Sequence, residues 1–209
     1  MYALAIRQPY LIPDTQYPIP VMPSAMYETA GGTRLMDPEF ILAQLDVLPD
    51  QHIGEFGCGG GGHFTFALAR RLGKGGLLYA VDVVPDVLES LRRRIRIENI
   101  NQIQVIASNL EVIGAAAIPQ DSLDRVLAAN ILFQNVHHDN ILKEAHRLLK
   151  SGGQLLVIDW RAETGNAGPP PTRRVDIEQI KAVAETIGFT LKREFSASVW
   201  HFGLIFSKN

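Results

Sequence analysis

The stretch "EFGCGGGGHF", Glu55 to Phe64, places five of the chain's 18 glycines within positions 57–62. No other segment restricts the fold so tightly. His52–Phe56 before it reads as an apolar strand, and His63–Leu72 after it as a helix. A chain that leaves a strand and enters a helix within so few residues must bend sharply. Glycine permits the bend and leaves no Cβ between the backbone and a neighbouring ligand. The helix N-terminus beyond the turn also presents unpaired amides to a negative group. The segment therefore predicts a strand–turn–helix unit with a ligand close to its backbone.

The alternation continues along the chain. Strands are expected at Leu77–Asp82, Gln104–Ala107, Leu123–Asn130 and Gln154–Asp159, and helices at Pro85–Ile97, His138–Leu149 and Asp176–Ile187. Such repeated units predict an α/β fold, a parallel sheet with helices on both faces. An earlier helix starts in "DPEFILAQLDVL", with Asp37 as N-cap, Pro38 at the first helical position, and Phe40, Ile41, Gln44, Leu45 and Leu48 on one mostly apolar face. The last segment, "FTLKREFSASVWHFGLIFSK", holds two strand-like runs joined around Ser196–Ser198 with no helix between them. They should form an antiparallel pair closing the sheet.

Residues 1–35 read as a separate proline-rich arm or lid, and residues 36–209 as one domain. The arm's prolines (Pro9, Pro13, Pro18, Pro20 and Pro23) oppose helix, while Tyr2, Tyr10, Tyr17, Leu11 and Ile12 make it too apolar for a free tail. It is expected to pack on the domain or on a second copy. A net charge of −2 gives no footprint for broad nucleic-acid or membrane binding. The single cysteine, Cys58, excludes an internal disulfide, and no Cys/His spacing matches a zinc site. The N-terminus lacks a basic leader with an apolar run, and no stretch approaches the roughly 18 apolar residues of a membrane span. The expectation is a cytoplasmic monomer or homodimer whose partner is a small molecule.

Two templates fit the glycines. Gly57, Gly59 and Gly62 make G-x-G-x-x-G, the dinucleotide fingerprint, while Glu55, Gly57, Gly59 and Gly61 make E-x-G-x-G-x-G, the loop of S-adenosylmethionine (SAM) enzymes. Asp82 ends "LLYAVD" about 20 residues later, where a strand-tip carboxylate can accept both ribose hydroxyls of either cofactor. The competing reading of Asp82 is a cap for the next helix. Several features favour SAM. Glu55 suits the ammonium of a methionine tail and is poorly placed beside a pyrophosphate. A long segment precedes the fingerprint strand, whereas a dinucleotide fold commonly opens with it. "LLKSGGQLLVID" gives a helix, a glycine turn and a fifth strand, and a terminal antiparallel pair is foreign to the simple doubly wound sheet. On the SAM parse, Gly62 is slack at the start of the helix.

Glu55–Gly61, Asp82, "DRVLAANIL" and "EAHRLLKSGGQLLVIDW" together resemble the class I SAM-dependent methyltransferases, over about residues 36–207. The resemblance is to the broad group holding the ubiquinone/menaquinone C-methyltransferases and arsenite methyltransferases. A narrower likeness, through "IDWR…GPP…R" and "HFGLIF", is to small bacterial and archaeal members of unassigned substrate. It implies a Rossmann-like, seven-stranded sheet in the order 3-2-1-4-5-7-6, strand 7 antiparallel, and a SAM cofactor that leaves as S-adenosylhomocysteine.

The resemblance also implies roles. Gly57, Gly59 and Gly61 would face the methionine part, Asp82 the ribose, and Val83 the adenine. Asn109, followed by Leu110, stands where an acid usually accepts from the adenine amine. Asn130 would lie near the transferable methyl; its "NILF" lacks both prolines of the N-P-P-[YF] motif, which argues against methylation of base amines. Methyl transfer needs mainly alignment and exclusion of water. His137 or His138 could act as a base, the simpler reading being a polar turn opening a helix. Trp160, Arg161, Arg173 and Tyr27 are candidate substrate contacts, weighed against loop packing. The lone Cys58 argues against arsenite. "RRRIR", Arg92–Arg96, reads as the solvated face of a helix whose buried stripe is Val87, Leu88, Leu91 and Ile95, which argues against an RNA substrate. The alternatives left are a non-catalytic SAM-binding partner protein and an NAD-dependent oxidoreductase.

Overall fold

A computed structural model describes residues 35–163 and 168–209. The arm, Tyr27 included, lies outside the described residues except for Leu35. The elements run α1 (Pro38–Leu45), β1 (His52–Phe56), α2 (His63–Arg71), β2 (Leu77–Asp82), α3 (Pro85–Glu98), β3 (Ile103–Ala107), β4 (Leu123–Ala129), α4 (His138–Leu148), β5 (Leu149–Trp160), α5 (Ile177–Ile187), β6 (Phe189–Ser196) and β7 (His201–Lys208). Short 3₁₀ turns stand at Leu132–Gln134 and Pro171–Arg173.

The seven strands form one sheet in the order β3-β2-β1-β4-β5-β7-β6. The pairs from β3 to β5 are parallel; β7 runs antiparallel to both β5 and β6. Strand periodicity sorts the core into two faces. Val157, Leu155, Phe202 and Leu204 pack with Leu142, Leu148 and Ile180 beneath α4 and α5. Leu156, Ile158 and Ile205 pack with Ile41, Leu45, Phe64 and Leu68 beneath α1 and α2. Leu88 and Leu91 bring α3 against Phe66 and Ala80.

The ends of elements obey local chemistry. The Asp37 carboxylate accepts from Glu39 N at 2.9 Å with Pro38 at the first helical position, and Asp176 accepts from Glu178 N at 2.8 Å to open α5. β5 begins five residues earlier than expected, because Leu149 already pairs with Leu123 before a register shift. A glycine pair, with Gly152 at φ +78, carries the strand through that irregularity.

Candidate functional site

Five parallel strands end at one edge of the sheet, and the turns after β1, β2 and β4 gather there. β1 delivers the chain to Gly57 at φ +75, where the amides of Gly57 and Cys58 both donate to Val81 O, at 2.8 and 3.1 Å. The turn is thus anchored on the neighbouring strand. Asp82, at the tip of β2, anchors it again: its Oδ2 accepts from Gly59 N at 3.1 Å, and its Oδ1 from Val83 N and Val84 N at 2.8 and 3.0 Å. The Asp82 carboxylate therefore braces both turns, while Val84 holds the N-cap position of α3. Carboxylate oxygens accept more than one bond, so capacity remains for a ligand.

Above the turn the backbone is bare. Among the described residues, a Cβ at Gly59 or Gly61 would meet nothing within 4 Å. Gly62 differs from the expectation of slack: at φ +55 it caps α2, and a Cβ there would fall 2.5 Å from the Phe66 ring. It is a required glycine on steric grounds alone. Arg94 also departs from a purely solvated role. Its Nη1 donates to Gly61 O at 3.0 Å, and its guanidinium lies 3.8 Å from the centre of the Phe66 ring. α3 thereby holds the far end of the glycine turn, which periodicity alone could not reveal.

Glu55, on β1 just ahead of the turn, is buried, and its Oε2 has no hydrogen-bond partner among the described residues. Burial pushes its carboxyl up to about 8, and the charge of Asp82 adds to that, while Thr65 beside it pulls the other way. Burial likewise pushes the Cys58 thiol up, so Cys58 packs as a small neutral side chain.

The other predicted residues spread along the same edge. Asn109 Oδ1 accepts from Glu111 N at 2.9 Å, and Leu110 is buried. Glu111, which no sequence signal marked, accepts from Val136 N and His137 N at 3.0 and 2.8 Å and so fastens the start of α4. Asn130 is buried at φ +55, directly after β4, with its amide donating to Ile158 O at 2.8 Å. His137 is exposed at the N-cap of α4. His138 Nε2 lies 2.8 Å from Asn135 O; a carbonyl only accepts, so that nitrogen carries the proton.

Past β5, Trp160 is buried beside His201, Arg161 Nη2 donates to Ser196 Oγ at 2.8 Å, and Arg173 ends an exposed 3₁₀ turn. Asp159 also escaped the sequence reading. It is fully buried; its Oδ2 accepts from Leu132 N and Phe133 N at 3.0 and 3.2 Å, and its Oδ1 from Trp160 N at 2.8 Å. Burial still pushes it up to about 7 against those three donors.

Among the described residues no group of His, Cys, Asp and Glu could hold a metal ion, and no helix is long and apolar enough to cross a membrane. A ligand here meets bare backbone, an unpartnered buried carboxyl oxygen and a strand-tip carboxylate. That set fits a cofactor with a cationic end and a ribose. Sheet order, reversed seventh strand and this edge define the class I SAM-dependent methyltransferases. The chain belongs to the family described as methyltransferase domain, which matches residues 50–194.

Known proteins agree at coarser resolution. The ubiquinone/menaquinone biosynthesis C-methyltransferase UbiE of Hydrogenovibrio crunogenus is 32% identical over 107 residues, covering 51% of this chain and 41% of that protein. The chain thus spans less than half the length of that curated relative. A SAM-dependent methyltransferase from Aquifex aeolicus superposes with a TM-score of 0.78 at 21% identity, over 88% of this chain and 98% of that one. The cyclase SpnF also superposes, with a TM-score of 0.71 at 14% identity, over 84% of this chain and 81% of that one. Likeness at such identity concerns the fold, which hosts more than one chemistry.

Proposed function

We propose that this protein transfers a methyl group from SAM to a small or medium-sized acceptor, leaving S-adenosylhomocysteine. The observation that carries the reading is Glu55 Oε2, buried and, among the described residues, unpartnered beside a turn with open space at Gly59 and Gly61. An anionic pyrophosphate would oppose ionisation of such a carboxyl, whereas an ammonium group would stabilise its ionised form and give the oxygen a donor. Bound SAM supplies the electrophilic methyl group, so the protein has mainly to bind, orient and keep water out. Glu55 would hold the methionine ammonium, Gly57, Gly59 and Gly61 would admit the cofactor backbone, and Asp82 would accept from the ribose hydroxyls. Val83 and Leu110 would pack on the adenine, Asn109 would accept from its amine, and Asn130 would face the methyl-bearing end. Tyr27, His137, Trp160, Arg161 and Arg173 would border the acceptor, with His137 the candidate base.

Titration calorimetry with SAM, S-adenosylhomocysteine and NAD tests the cofactor. SAM and its product should bind, NAD should not, and Asp82→Ala should abolish binding. Tight NAD binding with no response to SAM would sink the reading. Labelled SAM, offered with small carbon, oxygen, nitrogen and sulfur acceptors, tests the transfer itself. The carbon acceptors deserve first trial, given the name of the Hydrogenovibrio relative.

A further inference from the structure

Two buried side-chain donors sit side by side at the carboxyl edge, and nothing among the described residues uses them. In the β5–β7 register Trp160 stands directly opposite His201, and their ring centroids are 4.2 Å apart. Trp160 is 1% exposed and His201 0%, yet neither Trp160 Nε1 nor His201 Nε2 has a hydrogen-bond partner among the described residues. An unpartnered buried polar group is costly, so each such group asks for an explanation.

Ser198 settles which proton the imidazole carries. Its Oγ lies 3.1 Å from Trp200 N and 3.2 Å from His201 N, and these amides take the hydroxyl's two lone pairs. The remaining hydroxyl hydrogen is left for His201 Nδ1, 2.8 Å away. Nδ1 therefore accepts, and the ring proton sits on Nε2. Burial, with the charge of Arg161, holds this imidazole down at about 4, so it stays neutral near pH 7. An indole nitrogen only donates. The pair thus offers two N–H donors and no acceptor.

We propose that Trp160 Nε1–H and His201 Nε2–H form a two-donor site for an oxygen of the methyl acceptor: a carbonyl, enolate or phenolate oxygen. The proposal deepens the methyltransferase reading and rests on it. Trp160 ends the strand adjacent to β4, after which Asn130 stands, so the donors lie on the edge where the cofactor turns converge. Trp160 alternates along β5 with Leu156 and Ile158, and therefore shares their face of the sheet, with α1 and α2. Its cover is thin. Exposed Gly168, at φ +80, packs on the six-membered ring of the indole, away from Nε1, so closely that a Cβ would come 2.4 Å from it. A purely cationic or apolar ligand would leave both donors unmet, whereas an oxygen has the lone pairs to accept from both, as in sites with paired donors. The Arg161 charge that acts on His201 favours an oxygen bearing negative charge.

Nitrogen-15-labelled protein tests this directly, with a Trp200→Phe variant assigning the Trp160 indole. The free protein should show neutral His201 protonated at Nε2. With S-adenosylhomocysteine present, 4-nitrophenol (a phenolate) or 1,3-cyclohexanedione (an enolate) should shift both the indole proton and His201 Nε2. His201→Phe and Trp160→Phe should each weaken that probe about tenfold, the loss of one hydrogen bond, and change SAM affinity by less than about twofold. Protonation at Nδ1, a failure of both probes to shift the two groups, or probe affinity that survives both substitutions would overturn the site. If either variant fails to fold, the spectra of the unsubstituted protein decide. Failure of that protein to bind SAM would instead strike the methyltransferase reading, which the tautomer measurement keeps separate.

Discussion

Glu55 shows how one side chain can carry a functional reading. Its identity was visible in the glycine motif; its burial and unpartnered Oε2 were not, because they depend on neighbours distant in sequence. Its carboxyl, raised from 4.5 to about 8, is neutral near pH 7 without ligand. An ammonium group favours the carboxylate, so SAM binding should release a proton, and affinity should rise with pH up to about 8, by at most about tenfold per unit. Calorimetry in buffers of different ionisation heat counts that proton. Glu55→Gln should flatten the profile and weaken binding; an unchanged profile would refute the contact. The glycines divide in a similar way. Gly62→Ala meets both positive φ and the Phe66 ring and should destabilise by about 2–4 kcal/mol in urea titration. Gly61→Ala meets open space at ordinary φ, so stability should move by less than about 0.5 kcal/mol while SAM affinity falls. Sequence shows that glycines cluster; only the backbone angles show which are structural and which are clear for a ligand.

Elements are held in register by side chains that no periodicity marks. Helix caps and the terminal hairpin were legible, since they rest on local chemistry at Asp37, Pro38 and Asp176 and on alternation along β7. The early start of β5 was not, because the partner Leu123 lies in another strand. Asp159 and Arg94 are of the same kind. Asp159→Ala would leave the buried amides of Leu132 and Phe133 without an acceptor. A loss of about 2–4 kcal/mol is expected, with faster hydrogen exchange confined to that turn as the local signature. Arg94→Met would keep an apolar contact with Phe66 but lose the bond to Gly61 O. SAM affinity should fall about three- to fivefold with little change in unfolding free energy, and a global loss of stability would contradict the local role.

Across the whole molecule, buried titratable groups set the pH response. Between their unfolded and folded values, Glu55 (4.5 to about 8) and Asp159 (3.8 to about 7) hold protons that the unfolded chain releases, so each lowers stability as pH rises. His201 (6.5 to about 4) acts oppositely, raising stability between about pH 4 and 6.5 and no further. Only the destabilising slopes remain above pH 6.5. The ligand-free protein should therefore melt lower at pH 8 than at pH 6.5, and SAM, by favouring ionised Glu55, should raise Tm more at pH 8. Calorimetric scans at both values check this; an equal shift would argue against it. The sheet order was anticipated through family resemblance, while alternation alone predicted a parallel sheet and a closing pair without the neighbours of each strand. That order has a consequence for biosynthesis. β7 lies between β5 and β6, so the strand made last fills an interior place. As the chain emerges, the edge of β5 lacks its partner throughout the making of residues 161–200, and β6 is made before β7, the strand it pairs with in the sheet. His201, the first residue of β7, arrives with the strand that ends this exposure, so one side of the proposed acceptor site is the last part of the edge to be built.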